Sequence, residues 1–261
     1  MVIWASVEAS CPVCAQRLRL RLVGSGFASG QDSDLLVRMA GRHIIQVEIH
    51  TCGRCRYSGY APDFLRDLPP LFGERFLANI SPLLVEREVG GEAESIEGAE
   101  GNVPAPPPGR TPLPDVQYYW AFKAAEALGT SAQLQGELLL RAYWCLRLPP
   151  SSSLPPETRE LRRRTYLRGA VQKLRQDIAA ARDPNRIYLV AELCRRKGNF
   201  RLAVGYFRRF LEETEGARYL KQAAVKLLAA ARDRTSREMT MEEILFDGAP
   251  DSASRGSADG A

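Results

Sequence analysis

The chain has 261 residues, a hydrophobic fraction of 45%, a charged fraction of 26% and a formal net charge of +5. That length accommodates two small domains, and the composition is ordinary for a soluble globular protein. No apolar run is long enough to cross a membrane, and the N-terminus MVIWASVEASCPVC lacks the basic and apolar regions of a secretory signal, so the expected compartment is the cytoplasm.

Residues 1–67 read as β structure. Apolar residues alternate strictly in Arg17-Leu18-Arg19-Leu20-Arg21-Leu22 and again at Ile45, Val47 and Ile49, which predicts two strands with one buried face each. Between them GSGFASGQDSD reads as a loop, in which Asp32 and Asp34 are turn-forming aspartates. A short helix is predicted from Pro62 to Leu68, and Pro69, Pro70 and Pro82 break any longer element before Val85. Residues 86–114 read as a disordered linker, acidic and glycine-rich first and proline-rich after, because such a stretch cannot bury enough apolar surface to offset its ordering entropy.

From Asp115 the pattern is helical. Helices are predicted near 115–128, 131–147, 158–181, 185–197, 200–213 and 217–232, separated by Pro149-Pro150-Ser151-Ser152-Ser153, Asp183-Pro184 and Gly198-Asn199. Leu167, Val171, Leu174 and Ile178 form one apolar stripe. The tail 237–261 is expected to be disordered, apart from a turn at Met241–Phe246. The domain reading is a zinc-ribbon-like module over 1–85, the linker 86–114, a helical-repeat domain over 115–236 and the tail. The fold class is α+β.

Cys11-Pro12-Val13-Cys14 and Cys52-Gly53-Arg54-Cys55 are the strongest chemical signal. Two residues between cysteines let one tight turn offer both sulfurs to the same ion, and two such turns supply four thiolates in a tetrahedron. That is the closed site preferred by structural Zn²⁺. Arg17, Arg54 and Arg56 are candidates to offset the charge of a tetrathiolate site. A disulfide framework is disfavoured in a reducing compartment. A thioredoxin-like redox centre would need a helix at the first cysteine, where a strand is predicted. A catalytic zinc would need an open coordination position. His43 and His50 read as strand residues, although His50 is an alternative ligand. The chain shows no nucleophile motif, no paired catalytic carboxylates and no cofactor loop, so no catalytic residue is assigned.

In the helical half, Ile187–Phe210 resembles one tetratricopeptide repeat with Gly198 in the turn, and Cys145 and Cys194 read as core residues. Tyr118, Tyr119, Trp120 and Phe122 are assigned to packing against the next helix, with the lining of a ligand groove as the alternative. Between Glu157 and Phe210 there are 15 Lys/Arg against 5 Asp/Glu, densest at Arg162-Arg163-Arg164 and Arg195-Arg196-Lys197. Such a field can attract nucleic acid, an acidic peptide or a membrane surface, but the favoured reading is the plainer one, a solvated helix surface.

The order of CPVC, QDSD, CGRC-RYSGYAPDF, LLLRAYWCLR, YLVAELCRRKGNFRLAVGYFRRF and ARDRTSRE resembles the bacterial family called domain of unknown function 2225. The resemblance implies a rubredoxin-like zinc knuckle followed by tetratricopeptide-like helices, with no established activity. The second knuckle departs from the pattern, reading CGRC-RYSGYA where CPxCGYA is usual, and GRHIIQVEI lacks the usual proline and tyrosine. The expected function is a non-enzymatic adaptor with structural Zn²⁺, holding a protein or peptide on its helices. The alternative is a nucleic-acid-binding zinc ribbon.

Overall fold

The computed structural model describes residues 4–23, 26–40, 43–82, 84, 112–148, 154–176, 178, 183–213 and 218–246. Most of the expected linker and the stretch 247–261 lie outside them. Packing divides the chain into two units, Met1–Ala28 with Met39–Arg186, and Ser29–Arg38 with Ile187–Ala261.

In the first unit the alternating arginine and leucine run forms a strand as expected. β1 (Trp4–Ser10) pairs antiparallel with β2 (Arg17–Val23), from Trp4 opposite Val23 to Ser10 opposite Arg17. Leu20 is fully buried, and Glu8 faces Arg19 across the ladder. The GSGFASGQDSD loop contains a strand, because its backbone pairs although its side chains are polar: β3 (Ala28–Gln31) lies beside β4 (Val37–Met39), and Ser29–Arg38 of this pair belongs to the second unit.

The second predicted strand starts later than the pattern of isoleucines suggests. Ile44–Gln46 is a 3₁₀ turn, closed by Val47 N–H and Glu48 N–H on the Ile44 carbonyl. β5 (Ile49–Thr51) then pairs antiparallel with β6 (Ser58–Tyr60). The turn has a packing cause. Glu48 Oε1 accepts from Tyr118 Oη at 2.7 Å and also from the Arg141 guanidinium, and the Ile45 carbonyl accepts from the Cys145 thiol. An extended backbone would give up this docking. The helix predicted from Pro62 is only a 3₁₀ turn, Ala61–Phe64. It is followed by α1 (Phe72–Arg75), which continues as a π turn through Phe76–Ile80.

The helices fall close to their predicted bounds. α2 (Pro114–Ala127) opens with proline at its first position, and α3 (Ala132–Cys145) is capped by Ser131 Oγ on Leu134 N–H. α4 (Pro156–Gln176) packs on α3 at close range: a Cβ on Gly136 would lie 2.7 Å from Leu174 Cγ, so glycine is required there. The aromatic run of α2 is core, with Tyr118, Tyr119, Trp120 and Phe122 all buried. The N-terminal part is better packed than its composition suggests. Tyr57 meets Phe64, Phe76 and Phe72 edge-on at 5.3, 5.7 and 6.4 Å, and all four rings are buried.

The second unit holds α5 (Pro184–Arg196), α6 (Phe200–Glu213), α7 (Arg218–Arg232) and α8 (Met241–Phe246). Gly198, at φ +82°, turns the chain between α5 and α6, and Asn199 N–H closes the turn on the Cys194 carbonyl. The two helices meet through Tyr188, which lies edge-on to Phe207 at 6.0 Å and Phe210 at 5.6 Å. Ala191, Cys194 and Ala203 are fully buried between them. The expected turn at Met241–Phe246 is a helix. Thr240 and Glu243 form a reciprocal capping box, and Met241 and Ile244 are buried.

Candidate metal centre

Each cysteine pair is a tight turn at the end of one hairpin, and the two turns have the same backbone wiring. In the first, Cys11 N–H donates to the Gln16 carbonyl at 2.8 Å and Ala15 N–H returns to the Cys11 carbonyl at 2.9 Å. In the second, Cys52 N–H donates to the Tyr57 carbonyl at 2.8 Å and Arg56 N–H returns to the Cys52 carbonyl at 3.0 Å. Both turns require a left-handed residue directly after the second cysteine, and Ala15 and Arg56 supply it at φ 57° and 64°. In the family pattern CPxCGYA that position is glycine, the residue that adopts this conformation without a Cβ clash.

The turns face each other and bring together the four cysteines singled out by spacing. The Sγ atoms of Cys11, Cys14, Cys52 and Cys55 all lie within 4.8 Å of one another. The nearest pairs run between the turns, Cys11 to Cys55 at 3.6 Å and Cys14 to Cys52 at 3.5 Å. A tetrahedral ion with metal–sulfur bonds of about 2.3 Å needs sulfurs about 3.8 Å apart. The observed separations fit that demand, and the cluster could hold one metal ion. Three of the cysteines are buried and Cys14 is half-buried.

As thiols, Cys11, Cys52 and Cys55 share charge unevenly. The S–H groups of Cys11 and then Cys55 bond to Cys52 and pull its pKa far below the ordinary thiol value. Cys11 is pushed up to about 12, first by its bond to Cys52, and Cys55 is raised further, first by its bond to Cys11. One negative charge is easily accommodated and the next are resisted, so a bound cation would be needed to hold four thiolates together.

The surrounding candidates fall elsewhere. His50 lies in β5, where its Nε2 bonds to the Arg21 carbonyl at 3.0 Å and its ring stands edge-on to Phe64 at 6.4 Å. Of the three arginines expected near the site, Arg17 and Arg54 are exposed, while Arg56 bonds to the Gly53 carbonyl at 2.7 Å and lies 5.8 Å from the Trp120 ring. Cys145 and Cys194 are fully buried helix residues, and burial pushes the Cys145 thiol well above its ordinary value.

Charge counting misjudged the arginines. Arg195 and Arg196 belong to a buried network in the second unit, not to a basic surface. Arg195 grips both carboxylate oxygens of Glu192 at 2.7 Å and donates to the Thr235 and Arg237 carbonyls. Arg196 bonds to the same carboxylate at 2.9 Å, to Ser33 Oγ at 2.9 Å and to Asp34 at 3.2 Å. Ser33 Oγ in turn donates to Glu192 at 2.6 Å. Asp32 receives Arg38 at 2.7 Å, so the aspartates of the QDSD loop are ion-pair partners as well as turn residues. Arg162 is likewise buried, on Asp115 at 3.0 Å.

A second feature had no sequence signal. An apolar groove of about 310 Å³ runs along the π turn, lined by Pro70, Phe72, Phe76, Ile80 and Leu128 with Arg75 and Asn79 among them. Leu71 beside it is 59% exposed and held at φ 61°, and Leu77 is 41% exposed.

The model of the family described as "uncharacterized protein conserved in bacteria", domain of unknown function 2225, matches residues 5–237. The chain belongs to this family. The match takes in both cysteine turns, the QDSD loop and helices α2 to α7. No curated protein and no solved structure gave a match. Among the described residues no helix is long and apolar enough to cross a membrane.

Proposed function

We propose that this chain is a non-catalytic adaptor in which Cys11, Cys14, Cys52 and Cys55 hold one structural Zn²⁺ and the helical surfaces hold a partner. The carrying observation is the closure of the four sulfurs to within 4.8 Å of one another. Four thiolates complete the preferred coordination of zinc and leave no position for a substrate or water. The ion would clamp the β1–β2 and β5–β6 hairpins at their tips. The aromatic core around Tyr57 would then be fixed between them.

The groove along α1 supports a peptide partner. Exposed Leu71 and Leu77 flank it, Leu71 is held in a left-handed conformation that leucine disfavours, and a π turn forms one wall. Strained residues and π turns concentrate at functional sites. The occupant favoured is an extended or helical protein segment that inserts an apolar side chain over Phe72 and Phe76. A photo-crosslinking amino acid at Leu77, in the zinc-loaded protein inside cells, would identify the partner. The expected result is one reproducible adduct that is lost in Ile80→Asp while zinc content and melting are retained. Equal crosslinking in Ile80→Asp would end the groove reading.

A further inference from the structure

We propose that the outward face of the α6–α7 hairpin binds single-stranded nucleic acid. This surface lies in the second unit and is independent of the groove on α1. The two helices carry seven basic residues, Arg201, Arg208, Arg209, Arg218, Lys221, Lys226 and Arg232, against two acidic ones, Glu212 and Glu213. Arg195 and Arg196 of α5 are taken up by Glu192 and Asp34. Among the described residues, Arg201, Arg208, Arg218, Lys221 and Lys226 stand in no ion pair. Arg201 and Arg208 lie two turns apart on the exposed stripe of α6, with Gly205 between them. Arg218 and Lys226 are exposed on α7.

An exposed aromatic ring on α7 selects the kind of polyanion. Tyr219 is 44% exposed, adjacent to Arg218 and two turns from Lys226 on one flank of α7. A large exposed ring among cations is a stacking platform for an unpaired base. A duplex keeps its bases stacked inside, and an acidic peptide has none to offer. A strand laid across the hairpin would place phosphates on the arginines and lysines and a base on Tyr219. Phosphate contacts and ring stacking read no base edge, so recognition is expected to be tolerant of sequence.

The test is fluorescence anisotropy with the full zinc-loaded chain and a labelled oligothymidylate or oligouridylate of about twenty nucleotides. Five phosphate contacts predict a slope of log affinity on log salt of about −3.5, or about a hundredfold loss between 50 and 200 mM salt. The triple variant Arg201→Gln/Arg208→Gln/Lys226→Gln should bind at least about tenfold more weakly, with a slope shallower by about 2. Tyr219→Ala should weaken binding about tenfold at an unchanged slope. All four positions are exposed, and an unchanged melting temperature would show that the variants fold. Absence of binding at 50 mM salt, wild-type affinity in the triple variant, or displacement by polyglutamate as readily as by unlabelled strand would overturn the proposal.

Discussion

Replacing Glu192 by Gln tests whether the arginine pair at the end of α5 is structural. Glu192 is fully buried and is bonded by Arg195, Arg196 and Ser33 at once. Loss of its charge leaves the Arg195 guanidinium on the Thr235 and Arg237 carbonyls and takes from Arg196 the carboxylate it shares with Arg195. Breaking a buried pair by removing one partner costs about 3–5 kcal/mol. The glutamine oxygen still accepts one hydrogen bond, which places the expected loss near the lower end, about 3 kcal/mol. For a chain of this length that is a fall in Tm of about 6–12 °C. Calorimetry of the zinc-loaded protein reads it directly. Adding Arg195→Gln to Glu192→Gln restores the charge balance, so the double variant should lose less than the sum of the two single changes. Melting of Glu192→Gln within a degree of the parent, or strict additivity, would refute this reasoning. A corollary concerns binding assays: loss of a partner in Arg195→Glu would report unfolding, not a lost contact.

Other outcomes follow from the same contacts. Ala15→Gly relieves about 1–2 kcal/mol of left-handed strain against a glycine entropy cost of about 0.5–1 kcal/mol, so urea denaturation should show a small gain in stability. Arg56→Gly should show none, because it also removes the bond to Gly53 and the contact with Trp120. Gly136→Ala drives a methyl into Leu174 and should cost about 1–3 kcal/mol. Cys14→Ser should reduce zinc retention on dialysis against a chelator, whereas Cys145→Ser should leave metal content unchanged. Burial holds His50 below its ordinary value of 6.5, so the neutral ring is favoured in the folded state. Its contribution is present above pH 6.5 and is lost as pH falls from there, and denaturation midpoints of His50→Gln against the parent across pH 6–7.5 would measure it.

Helices α2 to α6 were legible because local punctuation separates them: Pro149-Pro150, Asp183-Pro184 and Gly198-Asn199 mark breaks that need no distant partner. The four-cysteine cluster was legible for a similar reason, since each pair is a self-contained turn. What escaped depends on contacts far apart in sequence. Ile45 continues an alternating pattern, but Glu48 reaches Tyr118 and Arg141 and curls the backbone before β5 begins. Arg195 and Arg196 look like surface charge until the Thr235 and Arg237 carbonyls, about 40 positions later, meet the first and Ser33 and Asp34, about 160 positions earlier, meet the second. Composition likewise hid the ring cluster around Tyr57, because Phe72 and Phe76 come from beyond Pro69 and Pro70, in a stretch where those prolines argued against any long element. The second cysteine turn lacks the usual glycine, yet its backbone is wired as in the first, with Arg56 accepting the strained conformation.

X-ray absorption at the zinc edge, on protein purified without added metal, tests the metal centre most directly. The account predicts one zinc per chain with a single shell of four sulfurs at about 2.3 Å. Protein that is folded but free of zinc, or a shell containing nitrogen or oxygen in place of any of the four sulfurs, would contradict it.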